Sequence, residues 1–244
     1  MTPDLLYRIL PYGALALFAG GMLLVGNLRR WRTEPQAPAA QTWPKLGGGR
    51  LWRCGFIAVL LIHAAVLFLP ERVLAWNRTP ARLYVLEGVA FAAGLTALAG
   101  WVRMLWRHIA ASRKELRELC DSVLLSLAGA TIGSGLLLAF EYRWASSWAS
   151  STLAPYIRSL LTGWARIDLV AGMPFLVRMH IIAAFASLAI IPFTSVGLAA
   201  MRASRFAAHT VFMAIAVPRE AMWRYAIAQW TNLSLSQWLW PEED

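Results

Sequence analysis

The sequence predicts an all-α membrane protein, a bundle of five transmembrane helices. Three observations predict it. Hydrophobic residues make up 59% of the 244-residue chain and mean hydropathy is +0.53, against roughly 45–50% apolar residues in soluble domains. The apolar residues gather in five runs long enough to cross ~30 Å of hydrocarbon, which takes about 20 helical residues. The basic residues behind the formal charge of +10 lie at the ends of these runs, as in the loops of membrane proteins. No nucleic-acid motif accompanies them.

The first run, residues 9–27, is long and lacks a small-residue cleavage site, so it reads as a span and not as a cleavable signal. The linker that follows runs to about residue 50. Its Arg29, Arg30 and Arg32, its Pro35, Pro38 and Pro44, and Gly47 to Gly49 keep it out of the membrane. The second span, 51–70, is closed by Pro70, which cannot donate to the helix. A short loop holds Glu71, Arg72, Arg78 and Arg82. The third span covers about 83–105 and is followed by the basic stretch RHIAASRKELREL. The fourth covers about 122–141. A Ser- and Trp-rich loop fills 142–173, and the fifth span covers about 174–200. From Met201 the chain mixes Arg202, Arg205, Arg219 and Arg224 with Trp223, Trp230, Trp238 and Trp240, an amphipathic pattern suited to lying on a membrane or a partner. The expected organisation is a transmembrane domain over 1–200 and an amphipathic tail over 201–244.

The side holding the 26–50 linker, the 103–120 loop and the tail carries most of the Lys and Arg. The other side carries Arg8, Arg72, Arg78, Arg82, Arg143, Arg158 and Arg166. Positive residues mark the cytoplasmic side, so the N-terminus is expected outside and the C-terminus in the cytoplasm. The two cysteines, Cys54 and Cys120, then face the reducing side, and no Cys/His run suggests zinc or an iron–sulfur cluster.

Two spans carry one histidine each, His63 in the second and His180 in the fifth. An imidazole in hydrocarbon is costly unless paired or ligating, which makes it a functional candidate. His63 lies seven residues before Pro70 and His180 six after Pro174. At 1.5 Å per residue both sit roughly 9–10 Å from the same side. Two imidazoles at one depth are what a haem iron held from both sides requires. Either histidine alone is ordinarily a packed residue donating to a backbone carbonyl. Gly129, Gly133 and Gly135 in span four and Gly88, Gly94 and Gly100 in span three leave room for a flat macrocycle or for close helix packing alike.

At this point the chain resembles the gamma subunit of respiratory nitrate reductases, a five-span b-type cytochrome. The resemblance rests on Pro11 and Tyr12 opening span one, on LWRCG followed by His63 and a Pro-terminated helix, and on Asp121 ahead of LLSL in span four. Its most specific piece is FLVRMH…IIPFTS, with Arg178, His180, Pro192, Phe193 and Thr194 or Ser195. The resemblance implies that His63 and His180 ligate an outer haem b. It also implies that the positions of a second, inner haem fall on Arg53 and Leu198, neither an ordinary haem ligand, so one haem is expected. His209, in SRFAAH, lies 29 residues past His180 and would be roughly 43 Å away along a straight helix, so it serves a second haem only if the helix bends. His108 reads as a solvated surface residue.

The expected function is a membrane cytochrome b subunit carrying electrons between quinone and a partner with iron–sulfur, molybdenum or hydrogenase centres, in the cytoplasmic membrane of a prokaryote. Arg178 is a candidate partner for a haem propionate, or a residue snorkelling to the interface. The resemblance places a quinol pocket beside the outer haem, with Arg82 as the nearest basic residue. Glu87 is a candidate proton acceptor; an ion pair with Arg82 or Arg178 is the plainer expectation. The competing reading is a haem-free membrane anchor or assembly scaffold. A transporter is disfavoured by the scarcity of buried carboxylates and the lack of inverted repeats.

Overall fold

The computed structural model describes residues 3–31, 49–110, 116–142, 144–201 and 204. Contacts divide the chain into two units, Met1–Ala199 and Ala200–Asp244. The expected tail lies outside the described residues except for Met201 and Ser204. Among the described residues every regular element is helical. Five helices are long and apolar enough to cross a membrane: Leu5–Asn27, Gly49–Phe68, Pro80–Ala110, Glu118–Glu141 and Phe175–Phe193.

The elements are a π-helical turn Leu5–Ile9 leading into α1 (Leu10–Trp31), α2 (Gly49–Phe68), α3 (Pro70–Trp76), α4 (Pro80–Ala110), α5 (Leu116–Glu141), α6 (Ala145–Trp148), α7 (Ala154–Leu161) and α8 (Phe175–Ile190). The loop expected after span two is largely the helix α3, and the 142–173 loop contains α6 and α7. Both surprises have one cause: Pro70 and Pro155 sit in the first turn of a helix, where a missing N–H costs nothing.

Pro70 ends α2 and leaves its last carbonyls without helical donors. Arg158 of α7 answers them, donating from Nε to Leu67 O (3.2 Å) and from Nη2 to Phe68 O (3.1 Å). A cation at a helix C-terminus is also favoured by the helix dipole. Tyr156, on the same short helix, is fully buried and donates to Tyr7 O (2.7 Å), its ring edge-on to that of Tyr7 at 6.0 Å. Burial, and then the neighbouring Tyr7 and Tyr12, hold the Tyr156 hydroxyl protonated far above the usual phenol range. Helix α7 is thus fastened to one end of the bundle by the Leu5–Ile9 turn and by α2.

The fifth span is not one continuous helix. After α8 a 3-10 turn covers Ile191–Phe193, Thr194 is extended, and a helix resumes at Ser195. Pro192 supplies the break. The new N-terminus is capped twice: Thr194 Oγ1 accepts from Gly197 N–H (3.3 Å), and buried Asp121 of α5 accepts from Ser195 N–H through Oδ1 (2.7 Å). Asp121 therefore fastens α5 to the broken helix.

Helix α2 packs along α4, and α8 packs on α5 and α1. The α2–α4 crossing is set by glycines. A Cβ on Gly55 would lie 2.8 Å from Ala97 Cα, and one on Gly100 would lie 2.8 Å from Trp52 Cβ. Continued eight residues along antiparallel helices, this register puts His63 level with Val89. Gly100→Ala is expected to lower stability by about 1–3 kcal/mol through overpacking. Gly20→Ala, with nothing within 4 Å of the new Cβ, is expected to be neutral. Thermal aggregation of the detergent-solubilised variants measures the difference.

Candidate functional site

His63 and His180 are brought together. Their ring centres are 6.2 Å apart and their planes are inclined by only 22°. Each ring is oriented by a backbone carbonyl. His63 Nδ1 lies 2.8 Å from Val59 O, one turn back in its own helix. His180 Nδ1 lies 3.0 Å from Thr131 O on α5, with Ser134 Oγ at 3.2 Å. A carbonyl oxygen only accepts, so both Nδ1 atoms carry hydrogen. In a neutral imidazole the lone pair is then on Nε2. Gly135 makes the second contact possible: a Cβ there would stand 3.1 Å from His180 Cε1.

Three of the remaining glycines serve close helix packing. Gly94 receives Leu136, Gly100 the backbone of Trp52, and Gly129 the ring of Trp101, whose Nε1 donates to Leu125 O (2.8 Å). Gly88, one residue from the level of His63, and Gly133 have nothing within 4 Å of an added Cβ. His63 itself is exposed.

The other candidates are placed as follows. Arg178, about one turn into α8 and two residues before His180, is exposed, and its charge is close enough to Tyr7 to act on it. Arg82 lies with its guanidinium 5.3 Å from the ring centre of Trp76, whose Nε1 donates to Arg82 O (3.0 Å). Glu87 is paired with neither Arg82 nor Arg178. Its Oε1 accepts from Ser146 N–H (2.8 Å) and Ser146 Oγ (2.7 Å), fixing the first turn of α6. His108 is half-buried, not solvated, and pairs with Ser122 Oγ at 2.7 Å. Arg53 is exposed and Leu198 is buried. His209 lies outside the described residues. Cys54 and Cys120 are free thiols. Among the described residues no group of three or more His, Cys, Asp or Glu converges as a metal cluster would.

Sequence reasoning missed a cleft of about 380 Å³ lined by Asn77, Pro80, Leu83, Tyr84, Trp144 and Ser147. It lies where the turn between α3 and α4 meets α6. The only signal for it was the Asn-x-x-Pro turn sequence at Asn77 to Pro80, which marks a helix boundary without naming a partner.

Five membrane-length helices, two of which bring their imidazole ring centres to 6.2 Å, define a multi-pass helical membrane protein. The comparisons narrow this class to one family. The chain belongs to the nitrate reductase gamma subunit family, whose model matches residues 3–213. It is similar to the nitrate reductase gamma chain of Bacillus subtilis (strain 168), with 23% identity over 206 residues that cover 80% of this chain and 89% of that relative.

The Glu87 contacts separate a fastening role from a protonic one. Glu87→Gln keeps an oxygen acceptor for Ser146, whereas Glu87→Ala removes it and is expected to cost about 1–3 kcal/mol. Limited proteolysis in the 142–150 segment checks this: cleavage rises in the alanine variant and stays at the native level in the glutamine variant.

Proposed function

We propose that the protein is a membrane cytochrome b subunit of a respiratory oxidoreductase complex. It carries electrons between the quinone pool and a partner redox subunit through one haem b ligated by His63 and His180. The observation that supports this most is the geometry of the ring pair. An imidazole nitrogen binds a metal at about 2.0–2.1 Å, so two imidazoles that would share one iron need their ring centres roughly 6 Å apart. The 6.2 Å separation matches that requirement. Both Nδ1 hydrogens are engaged by carbonyls, the outer-shell arrangement that fixes a ligating histidine and strengthens its Nε2 as a donor.

A bis-histidine haem supplies one-electron exchange at an iron with no open position, so it carries electrons and does not activate oxygen. The chain's own residues do the rest. Val59 and Thr131 hold the ring planes, and Arg178, two residues before His180 and exposed, supplies a cation for a propionate. Glu87 lies two residues from the level of His63 on α4, about 3 Å along the axis, where its carboxylate accepts a proton released by hydroquinone oxidation. Arg82, stacked over Trp76, forms part of the wall beside the quinol site. With the N-terminus outside and the C-terminus cytoplasmic, that proton leaves on the outer side of a prokaryotic cytoplasmic membrane. The partner carries iron–sulfur, molybdenum or hydrogenase centres.

A second reading, a haem-free anchor of such a complex, is favoured by one observation: Arg53 and Leu198 stand where the family resemblance implies ligands to a second haem. Pyridine haemochrome analysis of the purified protein separates the two. The expected result is one haem b per chain, lost in both His63→Ala and His180→Ala. Absence of a b-type α-band in the wild type leaves the anchor, and two haems per chain would bring in His209 as a ligand.

A further inference from the structure

Helix α5 carries a row of hydroxyls whose only hydrogen is already engaged. Ser122, Ser126, Thr131 and Ser134 each donate to the carbonyl four residues back, at 2.6–2.9 Å, the ordinary way a serine or threonine settles inside a helix. A hydroxyl has one hydrogen and two lone pairs, so each of these oxygens turns only an acceptor toward a neighbouring helix. Two of the four meet an imidazole there. Ser122 Oγ lies 2.7 Å from His108 Nε2, and Ser134 Oγ lies 3.2 Å from His180 Nδ1.

Ser134 bears on the histidine pair. It is buried, and its hydrogen is within reach of both Ala130 O (2.6 Å) and Thr131 O (3.1 Å). Whichever carbonyl takes that hydrogen, Oγ keeps only lone pairs for His180. Thr131 and Ser134 are three residues apart and so share one face of α5. The His180 Nδ1 hydrogen therefore falls between two acceptors of another helix, Thr131 O and Ser134 Oγ. His63, which is exposed, donates instead to the Val59 carbonyl of its own helix. The two rings are held by unequal hydrogen bonding.

This inequality has an electronic consequence. An acceptor on the Nδ1 hydrogen draws the proton outward and leaves Nε2 more basic. A more basic axial nitrogen favours ferric over ferrous iron, and outer hydrogen bonds of this kind are among the levers that set a haem potential. Resting on the haem reading above, we infer that Ser134 is a positioning residue for the His180 ligand. Its Oγ shares the Nδ1 hydrogen with Thr131 O, makes His180 the stronger of the two axial donors and holds the haem potential down.

Equilibrium redox titration of the haem-loaded, solubilised full-length protein reads the midpoint potential of each variant. Ser134→Ala removes one acceptor, and alanine is the better helix former. It is expected to favour the ferrous form about five-fold, a rise of roughly 40 mV for one electron. Ser134→Thr keeps a hydroxyl that can bond back in the same way and is expected to restore the native potential. Ser187, seven residues past His180 on α8, donates to Ala183 O (2.7 Å), and Ser187→Ala is expected to leave the potential at its native value. An unmoved potential in Ser134→Ala, an equal rise in Ser187→Ala, or a threonine variant that behaves like the alanine one overturns the inference. If Ser134→Ala takes up no haem, Ser134→Cys decides, because sulfur is only a weak acceptor: a smaller rise supports the inference and the native potential overturns it. A wild-type protein without a b-type band removes the haem reading and this inference with it. A wild-type band with an unmoved Ser134→Ala potential removes this inference alone.

Discussion

Two backbone carbonyls, Val59 O and Thr131 O, decide what the histidine pair can do. Because each accepts from Nδ1, both rings present Nε2 as the lone-pair nitrogen. The two bonds differ in what they require. The one to His63 is local, one turn back on α2, and survives wherever that helix forms. The one to His180 crosses to α5, so it depends on α5 and α8 lying close enough for the ring to rest on Gly135. Asp121 holds those two elements together further along by capping the helix that resumes at Ser195. Orientation of the second ring is therefore a property of tertiary packing.

The bundle is unequal along its length. At the level of Arg53, α2 and α4 touch backbone to backbone through Gly100. Trp101 there reaches α5, lying on Gly129 and donating to Leu125 O. The chain position that the family resemblance pairs with Arg53 is Leu198, which is buried. Toward the α3–α6 end His63 is exposed, Gly88 has open space around it, and Asn77, which lines a cleft, is tied through Ser146 to Glu87. At this same end Leu6, Tyr7, Tyr156, Leu160, Val170, Val177 and Ile181 form a buried hydrophobic cluster beside these hydrogen bonds.

Much of this was legible in the sequence, because a bilayer imposes its thickness on helix length. The five spans follow from apolar runs, and the matched depth of His63 and His180 follows from counting residues to Pro70 and Pro174. Their approach to 6.2 Å was not readable from depth alone, since rotation of a helix about its axis leaves depth unchanged. Glu87 shows a different limit. Charge pairing suggested Arg82 or Arg178, but a partner 59 residues away, Ser146, satisfies the carboxylate with two short bonds. Serines in a Ser-rich loop give no pattern by which one could be singled out. Asn77 escaped for the same reason, as turn chemistry alone accounts for an asparagine there. His108, read as a solvated surface residue, turned out to be tied to α5 by Ser122.

The near-parallel ring planes give the central claim a signature independent of haem counting. The orientation of axial imidazole planes sets the splitting of the iron d orbitals. Parallel planes give a rhombic low-spin ferric signal, and perpendicular planes give a strongly anisotropic one with a single large g value. Low-temperature electron paramagnetic resonance of the oxidised protein therefore tests the account directly. With His63 and His180 inclined by 22°, the predicted result is a rhombic low-spin spectrum that disappears when either histidine is replaced. A high-spin spectrum, or no ferric haem signal at all, would contradict ligation by this pair.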